Sequence, residues 1–226
     1  MTNKIKYAIL LLLMALPLFA QPKKETNLGT SLSLNFEKKI NRKLDLELGE
    51  EVRLINNNAG FDRCISIAGL DYFLLQEMKI GAYYSFIYQY NNDFLYEARH
   101  RFYVNISYKK TFEPFVFSWR GRFQTTYRDE NRGEYRVNPK YAVKNKFEVA
   151  YLIWGSPWKP FLSCDFSTDL NDPETKGRIS KIRCEGGVNW RYDRTTYFDF
   201  FLRFDSRTPL KNANVLSIGA NYRKKF

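Results

Sequence analysis

The sequence predicts an all-β protein: an antiparallel transmembrane β-barrel of about ten to twelve strands, with twelve preferred because single-chain bacterial barrels have even counts. Three observations carry that prediction. From Leu28 onward the apolar residues recur with period two, the period of a strand and not of a helix. Most runs reach ten residues or more, against about 5–6 for an ordinary soluble strand and about 9–11 for a tilted strand crossing a bilayer. The charged residues of these runs gather on one face and most of the aromatic residues on the other.

Residues 1–20, MTNKIKYAILLLLMALPLFA, place Lys4 and Lys6 before an apolar run from Ala8 to Ala20 that only Pro17 interrupts. This is the pattern of a cleaved secretory signal peptide, and the run is shorter than the roughly 20 apolar residues of a spanning helix. Ala20 offers a small residue before Gln21, although Leu18, the third residue back, is not small. No cysteine follows the cut, so a lipid-anchored amino terminus is not expected. Residues 21–226 then form one barrel domain.

The first strand is read in LGTSLSLNF, where Leu28, Leu32, Leu34 and Phe36 share a face against Gly29, Ser31, Ser33 and Asn35. KLDLELG sets Leu44, Leu46 and Leu48 against Lys43, Asp45 and Glu47. Glu50 falls on the apolar parity, and a bulge near Gly49 is expected to turn it inward. Further runs occupy 63–74, 78–90, 95–109, 113–128, 135–153, 159–168, 178–192, 195–205 and 213–226. That makes eleven, so parity demands either a short strand around 21–27 or a different cut of the long run 135–153. Short connections (KINR, QE, KTFE, SPW, YDR) alternate with longer polar ones (NNNAGF, QYNND, RDENRGE, TDLNDPETKGR, SRTPLKNAN), the asymmetry of outer-membrane barrels.

The sense of the alternation follows from cost. A Lys or Arg facing lipid at the bilayer midplane costs roughly 2–4 kcal/mol, so the charged face should be the lumen. The expected lumen network is Glu97, Arg99, Arg101, Arg120, Arg122, Lys144, Lys146, Glu148, Asp165, Lys181, Arg183, Glu185, Asp199, Arg203 and Asp205. On the opposite parity lie His100, Phe102, Val104, Phe117, Trp119, Phe123, Phe147, Ile182, Trp190, Phe200 and Leu202. A soluble secreted barrel binding a small apolar ligand would use the same alternation with its sense reversed. Strand length, the 16 Tyr, 19 Phe and 4 Trp, and the chain end all favour the membrane form. At that end Leu216, Ile218, Ala220, Tyr222 and Phe226 alternate as the closing strand of an outer-membrane barrel does, the pattern read by the barrel-assembly machinery. Lys224 departs from it near the water interface.

The 36 Lys and Arg outnumber 24 Asp and Glu. Basic and acidic residues interleave along the strands without a basic stripe, so nucleic acid is not an expected partner. The lumen charges either form a salt-bridged filling or line a narrow pore whose basic excess favours anions. Cys64, Cys164 and Cys184 are too few and scattered for a disulfide scaffold, and no cluster suggests a metal or a cofactor. If the loop 168–178 folds about residue 174, Cys164 opposes Cys184 on the lipid face and Asp165 pairs with Arg183 in the lumen. His100 has Ala98 and Phe102 as same-face neighbours, which matches neither the His/Ser pattern of membrane lipases nor the Asp/His pattern of membrane proteases. No catalytic residue is therefore expected, and a lipid hydrolase is the runner-up function.

AGLDYFLLQEMKIGAYYSF, YEARHRF, NKFEVAYLIWGSPWKPFLSCDF and RISKIRCEGGVNWRYDRTTYFDFFLRF together resemble the domain-of-unknown-function 2490 family of predicted outer-membrane β-barrels. Asp165 stands where the resemblance would place a glutamate. The resemblance covers most of the chain beyond residue 20. It implies a barrel in the bacterial outer membrane, in contact with its lipid, and implies no catalytic residue. The functional expectation is an integral outer-membrane barrel with a structural or interaction role, or a narrow anion-favouring pore.

Overall fold

The computed structural model describes residues 26–55, 60–91, 95–128, 137–173, 175–207 and 214–226. In them the period-two runs become eleven strands: β1 (Thr26–Lys39), β2 (Leu44–Ile55), β3 (Gly60–Phe73), β4 (Met78–Asn91), β5 (Leu95–Phe112), β6 (Phe115–Arg128), β7 (Lys140–Tyr151), β8 (Trp158–Asp169), β9 (Ile179–Arg191), β10 (Thr196–Arg207) and β11 (Asn214–Lys225). Each strand pairs antiparallel with its neighbours in the chain, and β1 closes the barrel against β11.

That closure corrects the expected count of twelve. β1 and β11 run parallel, with Thr30 beside Ile218, Leu34 beside Tyr222 and Glu37 beside Lys225. An even number is required only when every neighbour is antiparallel, and one parallel seam removes the requirement. The long run 135–153 holds a single strand among the described residues, β7, and Thr26 and Asn27 of the suspected extra strand belong to β1. Residues 21–25 lie outside the described residues.

The connections after odd-numbered strands (40–43, 74–77, 113–114, 152–157, 192–195) gather at one rim, here the turn rim, and the others at the loop rim. β3 extends into the expected loop NNNAGF and β4 into QYNND, leaving connections of only 56–59 and 92–94. The asymmetry is thus confined to the last three loops. Phe226 ends the chain at the turn rim, where its backbone N–H donates to the Glu37 carbonyl (2.8 Å) and its carbonyl accepts from the Lys39 N–H (3.1 Å). The final residue of the expected assembly pattern is therefore part of the seam.

The wall is apolar outside and polar inside. Ile218 is 66% exposed, Leu202 57% and Leu32 56%, whereas Glu97, Ser31 and Ile87 inside the barrel are each 1% exposed. This sense excludes the soluble form, in which the large apolar side chains would fill the interior. Around the turn rim an aromatic girdle runs from Trp158 to Trp190 (ring centroids 5.2 Å), Phe198 (5.4 Å), Tyr222 (5.4 Å), Phe36 (6.3 Å) and Phe226 (6.5 Å). Tyr88, Tyr96 and Phe61 begin a second group towards the loop rim. Two aromatic belts bounding an apolar band suit the two polar–apolar boundaries of a membrane.

Glu50 does not turn inward. It remains on the outer face beside Leu34 and Ser66, and the β2–β3 register shifts at Arg53/Leu54 instead of near Gly49. The Cys64 thiol donates to Glu50 Oε1 at 2.6 Å, giving the carboxylate a local polar partner in place of a bulge.

Candidate functional site

The inward faces enclose a cavity of about 790 Å³ that runs from Glu47 and Lys79 near the turn rim to Asp172 and Thr175 at the loop rim. The charges around it divide into two walls. On β9, β10, β1 and β2 they are interlocked. Arg183 is bidentate on Asp205 (Nε to Oδ1 2.6 Å, Nη2 to Oδ2 2.9 Å), and Lys181 reaches the same carboxylate at 2.7 Å. Arg203 donates from Nε to Glu185 at 2.6 Å and from Nη1 to Glu51 at 3.2 Å. Glu51 also accepts from Arg53 (2.8 Å) and Ser31 (2.8 Å). Lys146 joins the edge of the network, 3.3 Å from Glu148 and 3.4 Å from Glu185. Buried charges tolerate removal from water when they are paired and hydrogen-bonded in this way. Nearer the turn rim, Asp199 accepts from Arg223 (2.5 Å), Asn221 (2.8 Å) and Asn189 (2.9 Å).

The second wall, β5 to β7, is basic. Arg122 stands directly opposite Lys144, and Arg120 opposite Lys146. Arg122 spends its Nε on the neutral Asn105 Oδ1 (2.8 Å) and lies over the Tyr103 ring at 3.9 Å. Tyr103 stacks on Tyr83 (4.9 Å, 3° between planes), and Tyr83 is anchored by its hydroxyl on Asp71 (2.6 Å). Arg101 spends its Nε on Thr126 Oγ1 at 3.2 Å. Among the described residues, Arg120 and Lys144 have neither a hydrogen-bond nor an ion-pair partner, and all four cations line the cavity. The Glu97–Arg99 pair (2.9 Å) and Lys140, 2.8 Å from both Asp169 and Asp172, stand above this wall at the loop rim.

Every residue of the expected network thus lies on the inward parity, but three outcomes differ from the sequence reading. Asp165 is in register with Arg183, yet Arg183 turns to Asp205 and Asp165 forms no ion pair. Glu51, Arg53, Glu37 and Arg223, which complete the interlocked wall, belong to strands whose charges the sequence reading did not count. Their signal was present, since Glu47, Glu51 and Arg53 share the parity opposite Leu44, Leu46 and Leu48. The Tyr83 anchor with Asp71 and Lys79 was also missed. Its hairpin carries Gly69 and Gly81 because a Cβ at either position would fall 2.0–2.5 Å from the Tyr83 ring.

On the outer face Cys164 and Cys184 are direct cross-strand neighbours with their sulfurs 2.6 Å apart, as the loop symmetry predicts. His100 is outside too, its Nδ1 2.7 Å from the Tyr84 hydroxyl. Among the described residues, no three His, Cys, Asp or Glu side chains are grouped to hold a metal ion.

A family model for proteins of unknown function, DUF2490, matches residues 29–212. The chain belongs to this family. The match takes in the strands of both walls and stops before β11. Comparison with curated proteins finds no match. Among solved structures, the β domain of the Bordetella autotransporter BrkA is similar at 8% identity and a TM-score of 0.46, over 83% of this chain and 86% of that one. The translocator domain of the autotransporter NalP from Neisseria meningitidis is similar at 10% identity and a TM-score of 0.46, over 80% and 76%. A chain from work on the in-meso crystallization of membrane proteins is similar at 14% identity and a TM-score of 0.42, over 84% and 77%.

Proposed function

We propose that this DUF2490 member is an integral barrel of the bacterial outer membrane, exported by its signal peptide and inserted by the barrel-assembly machinery. In this reading its lumen is a narrow passage favouring anions. The observation that carries the reading is the basic wall: Arg101, Arg120, Arg122 and Lys144 line the cavity of about 790 Å³ with no carboxylate at ion-pair distance. A ring of one charge sign in a low-dielectric wall raises the local concentration of the opposite ion.

The interlocked wall favours a second reading, a barrel whose salt bridges fill the lumen and whose role is structural or lies in its outer loops. Single-channel conductance in a planar bilayer under a salt gradient separates the two. The passage predicts steady, anion-selective steps whose reversal potential moves towards zero in an Arg120→Ala, Arg122→Ala double variant. A silent bilayer, with folding verified by heat-modifiable migration, leaves the filled barrel.

A further inference from the structure

We infer that the basic wall is a binding site for a multiply charged, phosphate-type oxyanion. The inference rests on the anion passage only for the ligand's route inward. Like charges directly opposite each other on neighbouring strands repel, and charges enclosed by protein without a counter-ion are costly. Arg122 and Lys144 are such a pair, with Arg101 and Arg120 facing the same space. The acid facing them from β8, Asp165, pairs with none of them. An anion supplied from solution balances this excess.

The donors are arranged for an oxyanion rather than for chloride. Both Arg101 and Arg122 line the cavity and are held through Nε by neutral oxygens, while their terminal nitrogens have no protein partner among the described residues. Planar guanidinium forks match the oxygens of phosphate or carboxylate two at a time, and the stacking of Arg122 on Tyr103 fixes its plane beforehand. An independent observation points to a ligand in the same place. Gln124, between Arg122 and Thr126 on β6, is only 7% exposed and lines the cavity, yet its amide has no hydrogen-bond partner and Oε1 is fully enclosed. Its unbonded amide nitrogen can donate to an oxygen of the anion. The cavity of about 790 Å³ exceeds what a lone phosphate fills, so an ester fits the space as well as the charge.

The test is thermal unfolding of the folded barrel in detergent, followed by heat-modifiable migration, with inorganic phosphate, glycerol phosphate or sodium chloride at matched ionic strength. Saturable stabilisation by phosphate beyond that by chloride is expected. Arg122→Gln should weaken the apparent affinity about tenfold or more, the worth of one charge-assisted contact. Lys144→Met should raise the midpoint without phosphate by relieving repulsion and remove most of the phosphate-dependent gain, a reversal that a folding defect would not produce. A greater effect of glycerol phosphate than of inorganic phosphate assigns an ester ligand, and a smaller one assigns phosphate itself. Equal shifts with chloride, or wild-type affinity in both variants, overturn the site. This assay needs no conduction: phosphate-specific stabilisation with a silent bilayer retires the passage and keeps the site, whereas anion-selective current without it does the reverse.

Discussion

The two walls of the lumen draw on the same residue types and obey the same alternation, yet one is neutralised and the other is not. On β9, β10, β1 and β2, Arg183, Arg203, Lys181 and Arg53 share Asp205, Glu185 and Glu51. On β5 to β7, Arg101, Arg120, Arg122 and Lys144 stand among Asn105, Gln124 and Thr126, which offer neutral oxygens only. Overall charge does not distinguish these cases. What separates them is whether a carboxylate comes within ion-pair reach, as Asp205 does for Arg183 and Asp165 does not for Arg122 or Lys144, and that decides whether a cation stabilises the barrel or waits for a ligand.

The largest expected effect sets the walls against each other. Glu185→Gln leaves the Arg203 guanidinium short of its closest partner and should destabilise the barrel by about 3 kcal/mol. Lys144→Met should instead be neutral or stabilising by up to about 1 kcal/mol, because it removes a like-charge neighbour. Urea titrations of heat-modifiable migration measure both, and effects of the same sign would erase the distinction.

A second change stiffens the interlocked wall from outside. Treating the folded barrel with diamide should oxidise Cys164 and Cys184 to a disulfide as the diazene is reduced, leaving Cys64 the sole thiol available for labelling after unfolding. Closing that loop should raise stability by about 2–3 kcal/mol on the chain-entropy account. Labelling of all three cysteines after diamide would mean that β8 and β9 do not hold this register.

The smallest effect lies in the turn joining β9 to β10. There the backbone N–H of Thr195 (2.6 Å), with that of Thr196 (2.6 Å) and both threonine hydroxyls, donates to Asp193 and holds its carboxyl down to about 2. The folded form has the lower pKa, so this contribution is complete above the ordinary value of 3.8 and is lost as pH falls through about 2. Asp193→Asn should flatten the acid limb of the stability profile in that window, lowering stability slightly above it and converging with the wild type below about pH 2.

The faces were legible because strand parity is a local property: each of Arg99, Arg101, Arg120 and Arg122 is inward for the same reason that Phe102 and Phe123 are outward. Ion-pair partners were not, because long side chains reach neighbours on either side. Arg183 has Asp165 in register on one strand and Asp205 on the other, and only the folded wall selects Asp205. Glu50 shows a related limit, since an outward acid can be accommodated by one nearby thiol without any change of register. The eleven runs were present in the sequence, but which strands meet to close the barrel is a property of residues nearly 190 positions apart, such as Thr30 and Ile218.

The parallel seam has a topological consequence. Because β1 and β11 descend together, Thr26 lies at the loop rim while Phe226 lies at the turn rim, the full height of the wall away. A short linker joining them, the usual route to a circular permutant, cannot be built along one edge. The connection that fits the wall is an ascending segment about as long as the 12 residues of β11, threaded between the first and last strands. That addition would make every neighbour antiparallel and the number of strands even, so the present molecule is one crossing short of the symmetric cylinder.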